Sequence, residues 1–222
     1  IEESFLNIQS KIIDIFSSLE DENIAEISLD KWSRDEGGGG RTYVIENGIF
    51  FDNCAVNFSS IQGEQLPQTA LANNLKKEVK HGYKAMGVSV ISHPKNPNVP
   101  TSHMNVRLLG ILDKNKDICD WWIGGGYDLT PYIPYTKDIM AWHAEAKECL
   151  NSINSDYYSI FSENCNNYFK IPHRNERRGV GGIFFDNITD FSLEYSIKML
   201  ESVAYSYLSS YKKIIERRKN ID

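Results

Sequence analysis

The sequence lacks long apolar runs and any excess of basic charge. It carries 30 acidic and 24 basic side chains, which gives a formal net charge of −6 at pH 7. A chain of this charge has no bulk attraction to nucleic acid or to anionic membranes. Because a membrane-spanning helix needs about 20 consecutive apolar residues, we also expect no transmembrane segment. An anionic ligand would have to be held by local arginines, because the negative net charge of the chain repels it.

Paired cysteines and nucleotide-binding motifs are missing as well. The four cysteines are widely dispersed and form no C-x-x-C pair, which predicts reduced thiols in a cytoplasmic protein. No G-x-G-x-x-G opens a helix and no Gly-Lys-Ser/Thr occurs. The five histidines show neither H-E-x-x-H spacing nor zinc-finger spacing with cysteine. We therefore interpret them as hydrogen-bonded residues lining a cleft, in preference to metal ligands, with His81 at the surface.

Apolar periodicity predicts helices at both ends of the chain and strands between them. Helical spacing indicates an amphipathic helix over residues 3–19, further helices over 136–152 and 155–169, and a long closing helix. The polar connection Asp113–Asp117 is a hairpin signal. Since no regular βαβ alternation is present, we expect an α+β fold with a mainly antiparallel sheet. The predicted strands are 24–33, 42–46, 54–59, 86–92, 105–112, 118–123 and 183–186.

Most of the glycines are clustered. Ten of the fifteen lie in three groups, which are Gly37–Gly40, Gly124–Gly126, and Gly179 with Gly181 and Gly182. Such clusters are either loops and bulges or places where the backbone leaves room for a bulky ligand. The second lies between Trp122 and Asp128, so that flat apolar surface meets a single carboxylate. Asp128 is either a turn residue or an acid/base group, and we favour a pocket for a large, flat, anionic molecule.

Cationic side chains lie beside these glycines. His103 and Arg107 are four residues apart just before the tryptophans, and Arg41 follows the first cluster. Bidentate pairs between guanidinium and carboxylate fix acidic ligands strongly. A run of arginines is also typical of a solvated turn, so both interpretations stay open for the three that precede the last cluster, Arg174, Arg177 and Arg178.

Taken together, the motifs resemble the oxygen-dependent coproporphyrinogen-III oxidases. The matching segments follow one another in the family's order along almost the whole chain. They are Gly37–Thr42, Gly87–Ser89, His93–Pro97, Val99–His103, Asn105–Arg107, Trp121–Pro131 and His173–Asp186.

The resemblance implies oxidative decarboxylation of two propionates of coproporphyrinogen III to vinyl groups, with O2 as the oxidant. The products are protoporphyrinogen IX, CO2 and H2O2, made in haem biosynthesis without an organic cofactor. The resemblance also implies a homodimer and a large antiparallel sheet flanked by helices on both faces. Because family members continue past the long helix to a Gly-Gly-Arg motif and a dimer segment, we expect residues 1–222 to form a single domain lacking that C-terminal segment.

Roles in the family transfer to the matching positions of this sequence. His103 resembles the proton donor, and Asp128 resembles the carboxylate that meets the pyrrole N–H groups. His173 matches a histidine linked to dimer formation. The expected substrate contacts are Ser89, Asn105, Val106 and Arg107, to which we add Arg174 and Arg178 as arginines beside glycine.

The resemblance also bears on metal and aromatic residues. A divalent metal such as manganese, a requirement disputed within the family, is assigned in bacterial members to the equivalents of His93, His103, His143 and His173. Because their spacing specifies no local chelate and the reaction needs only an electron-rich substrate and O2, we expect metal to be dispensable. Alternative functions are tetrapyrrole binding without turnover and hydrolysis by a histidine-bound metal. We expect the ring system to be flanked by Trp121, Trp122 and Tyr127.

Overall fold

The fold is built on one antiparallel sheet of seven strands, in the order β1-β2-β3-β4-β5-β6-β9. A computed structural model describes residues 1–66 and 78–221. Each of the first five strands pairs with the next along the chain, and β9 joins the sheet beside β6. The strands are β1 (Glu26–Ser33), β2 (Gly38–Glu46), β3 (Phe51–Gly63), β4 (Tyr83–Pro94), β5 (Thr101–Leu112), β6 (Ile118–Thr130) and β9 (Gly181–Ile188).

In the described residues, four α-helices lie at the ends of the chain and between β6 and β9. They are α1 (Glu2–Ser17), α2 (Thr136–Asn151), α3 (Tyr157–Tyr168) and α4 (Leu193–Arg218). Ser192 caps the N-terminus of α4, where its hydroxyl accepts a hydrogen bond from the N–H of Tyr195 and so satisfies a free helix donor. A small hairpin of β7 (Lys170–Ile171) and β8 (Glu176–Arg177), joined through a 3₁₀ turn at Pro172–Arg174, follows α3.

The two faces of the sheet differ chemically because side chains alternate along each strand. In β5 the side chains at 102, 104, 106 and 108 are buried, while those at 103, 105 and 107 are half-buried. The buried set shares one apolar core with α1 and α4. We call the other side the open face. Its residues used below are Asn57, Ser59, Ser89, His103, Asn105, Arg107, Trp122, Asp128, Phe184 and Asp186.

The α+β class and the antiparallel sheet are confirmed, but helices do not cover the two faces equally. In the described part of the chain, α1 and α4 pack on the buried face. The helical contact that we find on the open face comes from the last residue of α3, where Tyr168 stacks on Phe184 at 4.2 Å between ring centroids. Within the described residues, helices therefore contact both faces of the sheet, extensively on the buried face and through Tyr168 on the open face.

The predicted helices and strands are present, but several strands are longer than predicted. All three glycine clusters contribute residues to strands, at Gly38–Gly40, Gly124–Gly126 and Gly181–Gly182. Glycine has a low β-propensity, so the predicted strands end too early at these clusters. In the structure, neighbouring strands approach the glycines so closely that a side chain would have no room. The hairpin across Asp113–Asp117 is confirmed by the pairing of β5 with β6.

Helices α2 and α4 are joined by an ion-pair cluster at Asp138. This carboxylate is buried, and it accepts hydrogen bonds from Arg217 at 2.8 Å and Arg218 at 2.6 Å. The guanidinium of Arg218 also lies 3.7 Å from the centroid of the Tyr135 ring. Its hydrogen bond to Asp138 raises the pKa of Arg218 above the usual value.

None of the helices in the described residues combines the length and apolar character that a membrane crossing requires.

Candidate active site

The open face brings together side chains that are far apart in sequence. The pairing of β4, β5, β6 and β9 aligns Ser89 with Asn105, Asn105 with Gly126, and Gly126 with Phe184. His103 and Arg107 also lie on β5, two residues before and two residues after Asn105. The sheet therefore presents two ionic clusters, one around His103 and one around Arg107, separated by the row that contains Asn105.

The first cluster is centred on Asp128, which is only 1% exposed. Arg178 donates to both of its oxygens, from Nη2 to Oδ1 at 2.8 Å and from Nε to Oδ2 at 3.2 Å. The guanidinium of Arg178 stacks on Phe169 at 3.8 Å from the ring centroid. His103 Nδ1 lies 3.4 Å from Asp128 Oδ1, opposite it across the β5–β6 ladder. A buried carboxylate is thus held in one orientation, with an imidazole beside it.

The second cluster is centred on Arg107. Its Nη2 lies 3.1 Å from Asp186 Oδ1, and its Nη1 donates to Asn105 Oδ1 at 3.2 Å. The rings of Trp122 and Phe184 lie about 6 Å from the guanidinium carbon. The side chain of Arg107 stays 35% exposed, so the cation remains accessible from the open face.

Two adjoining cavities occupy this face, and both are lined by Asn105 and Arg107. The larger, of about 400 Å³, extends over polar residues of β3 and β4, including Asn57, Ser59 and Ser89. The smaller, of about 180 Å³, reaches His103 and Asp128. Its aromatic wall consists of Tyr168, Phe169 and Phe184. A ligand that spanned both cavities would meet each ionic cluster.

Three residues expected at the ligand have side chains on the buried face. Val106 is fully buried, between the open-face residues Asn105 and Arg107. Trp121 donates from Nε1 to Ser196 of α4 at 3.2 Å, and Tyr127 pairs with Ser206 at 2.9 Å. Burial raises the pKa of Tyr127 well above its usual value. Of the three aromatic residues expected to flank the ring, Trp122 alone lies on the open face.

The arginines beside the glycine clusters separate into different environments. Arg41 faces α1, where its Nε donates to Gln9 at 2.7 Å. Arg174 is exposed and pairs with Glu176 at 2.9 Å within the small hairpin. Arg178 reaches the open face, where its partner is the carboxylate of Asp128. Only Arg107 and Arg178, among the arginines proposed from sequence, contact the open-face clusters directly.

The four histidines that the resemblance links to a metal do not converge. His93 and His103 are neighbours at 6.4 Å between ring centroids, while His173 is exposed in the 3₁₀ turn. His143 Nε2 lies 3.0 Å from the carbonyl of Val180, so Nε2 carries the hydrogen and Nδ1 accepts from the Tyr158 hydroxyl at 3.1 Å.

Both ring nitrogens of His143 are therefore engaged. Over residues 1–66 and 78–221, no group of three or more His, Cys, Asp or Glu side chains is placed to hold a metal ion. Arg178 also sets a cation against the carboxylate nearest His103. The residues present consequently do not fit the divalent metal that the resemblance implies.

Thiol chemistry does not compete with the acid/base groups at this site. Burial, followed by the charge of Asp128, raises the pKa of Cys165 to about 12. All four cysteines are free, as expected for reduced thiols. Because Cys165 stays protonated near neutral pH, it supplies no thiolate beside the first cluster.

Sequence reasoning assigned no role to Asp186, Asn57 or Ser59. The signal for Asn57 and Ser59 was their spacing of two residues in β3, in alternation with buried residues, which places both on one face. Asp186 is the last residue of the matching segment His173–Asp186, but its role depends on the pairing of β9 with β6, whose register shifts between Ile123 and Gly125. That irregularity has no local signature in the sequence.

A comparison with known protein families matches the chain over residues 1–222. A family model described as Coproporphyrinogen III oxidase matches residues 1–222. The match includes both ionic clusters and all of the strands that carry them. The chain therefore belongs to the coproporphyrinogen III oxidase family, whose members are oxidoreductases of porphyrin biosynthesis.

Proposed function

We propose that this protein converts two propionates of coproporphyrinogen III to vinyl groups with O2, giving protoporphyrinogen IX. For each propionate, the carboxylate leaves as CO2 and the ring-side carbon loses its hydrogen. O2 takes up the two electrons released, together with that hydrogen and one added proton, and becomes H2O2. The substrate supplies all the reducing electrons, so the balance requires no organic cofactor.

The observation that carries the proposal is the buried carboxylate of Asp128, held by Arg178 at the base of a cavity and flanked by His103. A carboxylate oxygen has two lone pairs, so each oxygen of Asp128 keeps acceptor capacity beyond its bond to Arg178. When a pyrrole N–H donates a hydrogen bond to Asp128, the pyrrole ring becomes more electron-rich, which favours attack of the ring on O2. The peroxide formed can then remove the ring-side hydrogen of a propionate.

His103 and Arg178 support Asp128 in different ways. The bidentate pair with Arg178 fixes the carboxylate plane, which contributes through positioning. His103 lies within reach of Asp128 and lines the same cavity, so we assign to it the movement of protons near the reacting propionate. Arg107, at the junction of the two cavities, is the candidate partner for a propionate carboxylate.

Activity should depend on O2 and not on added metal. In a fluorescence assay of the oxidised porphyrin products, coproporphyrinogen III should be converted in air and left unchanged under anaerobic conditions. Protein stripped with a chelator and confirmed metal-free by elemental analysis should retain its turnover, because the histidines do not form a metal site. The assay should use the protein at its natural full length.

The other outcomes separate the alternative functions. Tight binding of the tetrapyrrole without conversion in air would identify a binding protein and overturn the enzymatic proposal. Activity that vanished on stripping and returned in proportion to added manganese would reassign His93, His103, His143 and His173 as ligands. Stoichiometric zinc with no response to porphyrinogens would indicate a metal hydrolase.

Arg107→Ala should weaken substrate binding by a factor of about 10 to 100, the cost of a lost charge-assisted pair. Arg107→Lys should restore part of the affinity, since lysine keeps the charge but cannot pair bidentately. The measurement is KM for coproporphyrinogen III with kcat determined in parallel. An unchanged KM in both variants would remove Arg107 from the substrate site.

We further propose a cytoplasmic homodimer. The family resemblance supports the dimer, and the four free thiols support a reducing compartment. Sedimentation velocity of the full-length protein tests the dimer, and a monomer at micromolar concentration would contradict it.

A further inference from the structure

Asp186 is a second carboxylate on the open face, and the acid/base chemistry proposed above does not use it. It lines the larger cavity and lies 3.1 Å from Arg107 through Oδ1. That oxygen is buried but receives no well-aligned hydrogen bond in the described residues. The contact is therefore mainly electrostatic, and the side chain as a whole remains 33% exposed at the cavity.

Gly124 is required for this contact. A Cβ atom at position 124 would lie 2.3 Å from Asp186 Oδ1 and 3.0 Å from Arg107 Nε. Any other residue would therefore separate the two charges or displace one of them. Together with the hydrogen bond from Arg107 to Asn105, this close approach fixes the guanidinium against one carboxylate while it still borders both cavities.

A propionate that binds Arg107 must share this guanidinium with Asp186. A guanidinium has five N–H donors and can serve two carboxylates, but the two anions then repel each other. The cluster of Arg107 and Asp186 is neutral by itself and acquires a net negative charge when a carboxylate binds.

We propose that Asp186 is a specificity-determining counter-ion, which lowers the affinity of Arg107 for any single carboxylate. A molecule with one carboxylate is then held weakly, whereas a polycarboxylate is retained by its additional contacts. This inference rests on the proposed function, because it takes a propionate as the partner of Arg107.

Neutral replacements of Asp186 should therefore increase affinity. Asp186→Asn and Asp186→Ala should each lower the Kd for coproporphyrinogen III by about threefold to fivefold, the scale of a half-exposed charge interaction. Asp186→Glu keeps the charge and should show no gain in affinity. Isothermal titration under anaerobic conditions, with the full-length protein, measures binding without turnover.

A double-mutant cycle assigns the effect to Arg107. In an Arg107→Ala background, Asp186→Asn should no longer tighten binding, because the cation for which the two anions compete is gone. The matched control is Glu145→Gln, which neutralises the partner of Lys213 on the helical side of the sheet and should leave Kd unchanged. Melting temperatures of all variants distinguish loss of fold from loss of binding.

The outcomes separate this inference from the proposed function. If the parental protein binds and Arg107→Ala weakens binding, but both neutral variants of Asp186 bind equally or more weakly than the parent, the counter-ion role is wrong and the substrate site stands. If the parent does not bind coproporphyrinogen III, or Arg107→Ala binds as tightly as the parent, the propionate contact itself fails. Tightening that persists without Arg107 would also overturn the counter-ion role, since it would reflect net charge alone.

Discussion

Asp128→Asn is expected to lower kcat by about a hundredfold or more, the scale of a lost general base. Asparagine has nearly the same shape and can still accept one hydrogen bond from Arg178, so we expect the fold and much of the substrate affinity to persist. Asparagine lacks the negative charge that makes the pyrrole ring electron-rich when its N–H donates a hydrogen bond. The measurement is steady-state turnover of coproporphyrinogen III in air, with anaerobic binding determined separately.

The matched control is Asp117→Asn, an exposed aspartate in the turn of the same β5–β6 hairpin. It makes the same chemical change outside both cavities and should keep parental kcat. Near-parental turnover in Asp128→Asn would mean that the pyrrole-base role is wrong. A large loss of melting temperature would instead indicate that Asp128 acts through its ion pair with Arg178.

Asp138→Ala should destabilise the protein by about 3 kcal/mol, because removing one partner of a buried ion pair leaves the others uncompensated. Two guanidinium groups lose their acceptor in this variant, although Arg217 is 30% exposed and can turn toward water. A protein of this size should then melt roughly 6–12 °C lower. Urea unfolding, followed by circular dichroism, gives the free energy directly.

Glu145→Gln provides the comparison, since Glu145 and Lys213 also join α2 to α4. That pair is more exposed, so its loss should cost less than about 1 kcal/mol. Equal losses in the two variants would contradict the special role of the buried Asp138 cluster. Both variants should keep the open face intact and therefore bind substrate as the parent does.

Much of the fold was predictable because helices and strands differ in the period of their apolar residues. The amphipathic pattern of α1 and α4 and the polar turn at Asp113–Asp117 identified the order of elements. The glycine runs were harder, because a strand without side chains has no alternation to detect. The two-residue strands β7 and β8 are too short for any periodic signal.

The site was predicted in part. His103, Asn105, Arg107 and Asp128 were identified from their motifs, and the structure brings them together on one face. Which aromatic residues share that face could not be deduced, since Trp121 and Trp122 are adjacent and equally apolar. Only the cross-strand register, which pairs Trp122 with Leu109, decides between them. The partners Arg178 and Asp186 depend on long-range pairing in the same way.

The counter-ions of the two ionic clusters come from the same segment of the chain. His103, Arg107 and Asp128 belong to a single hairpin, whereas the counter-ions Arg178 and Asp186 come from the segment that adds the last strand to the sheet. The segment that ends in β9 therefore completes the sheet and also supplies a counter-charge to each of the two clusters.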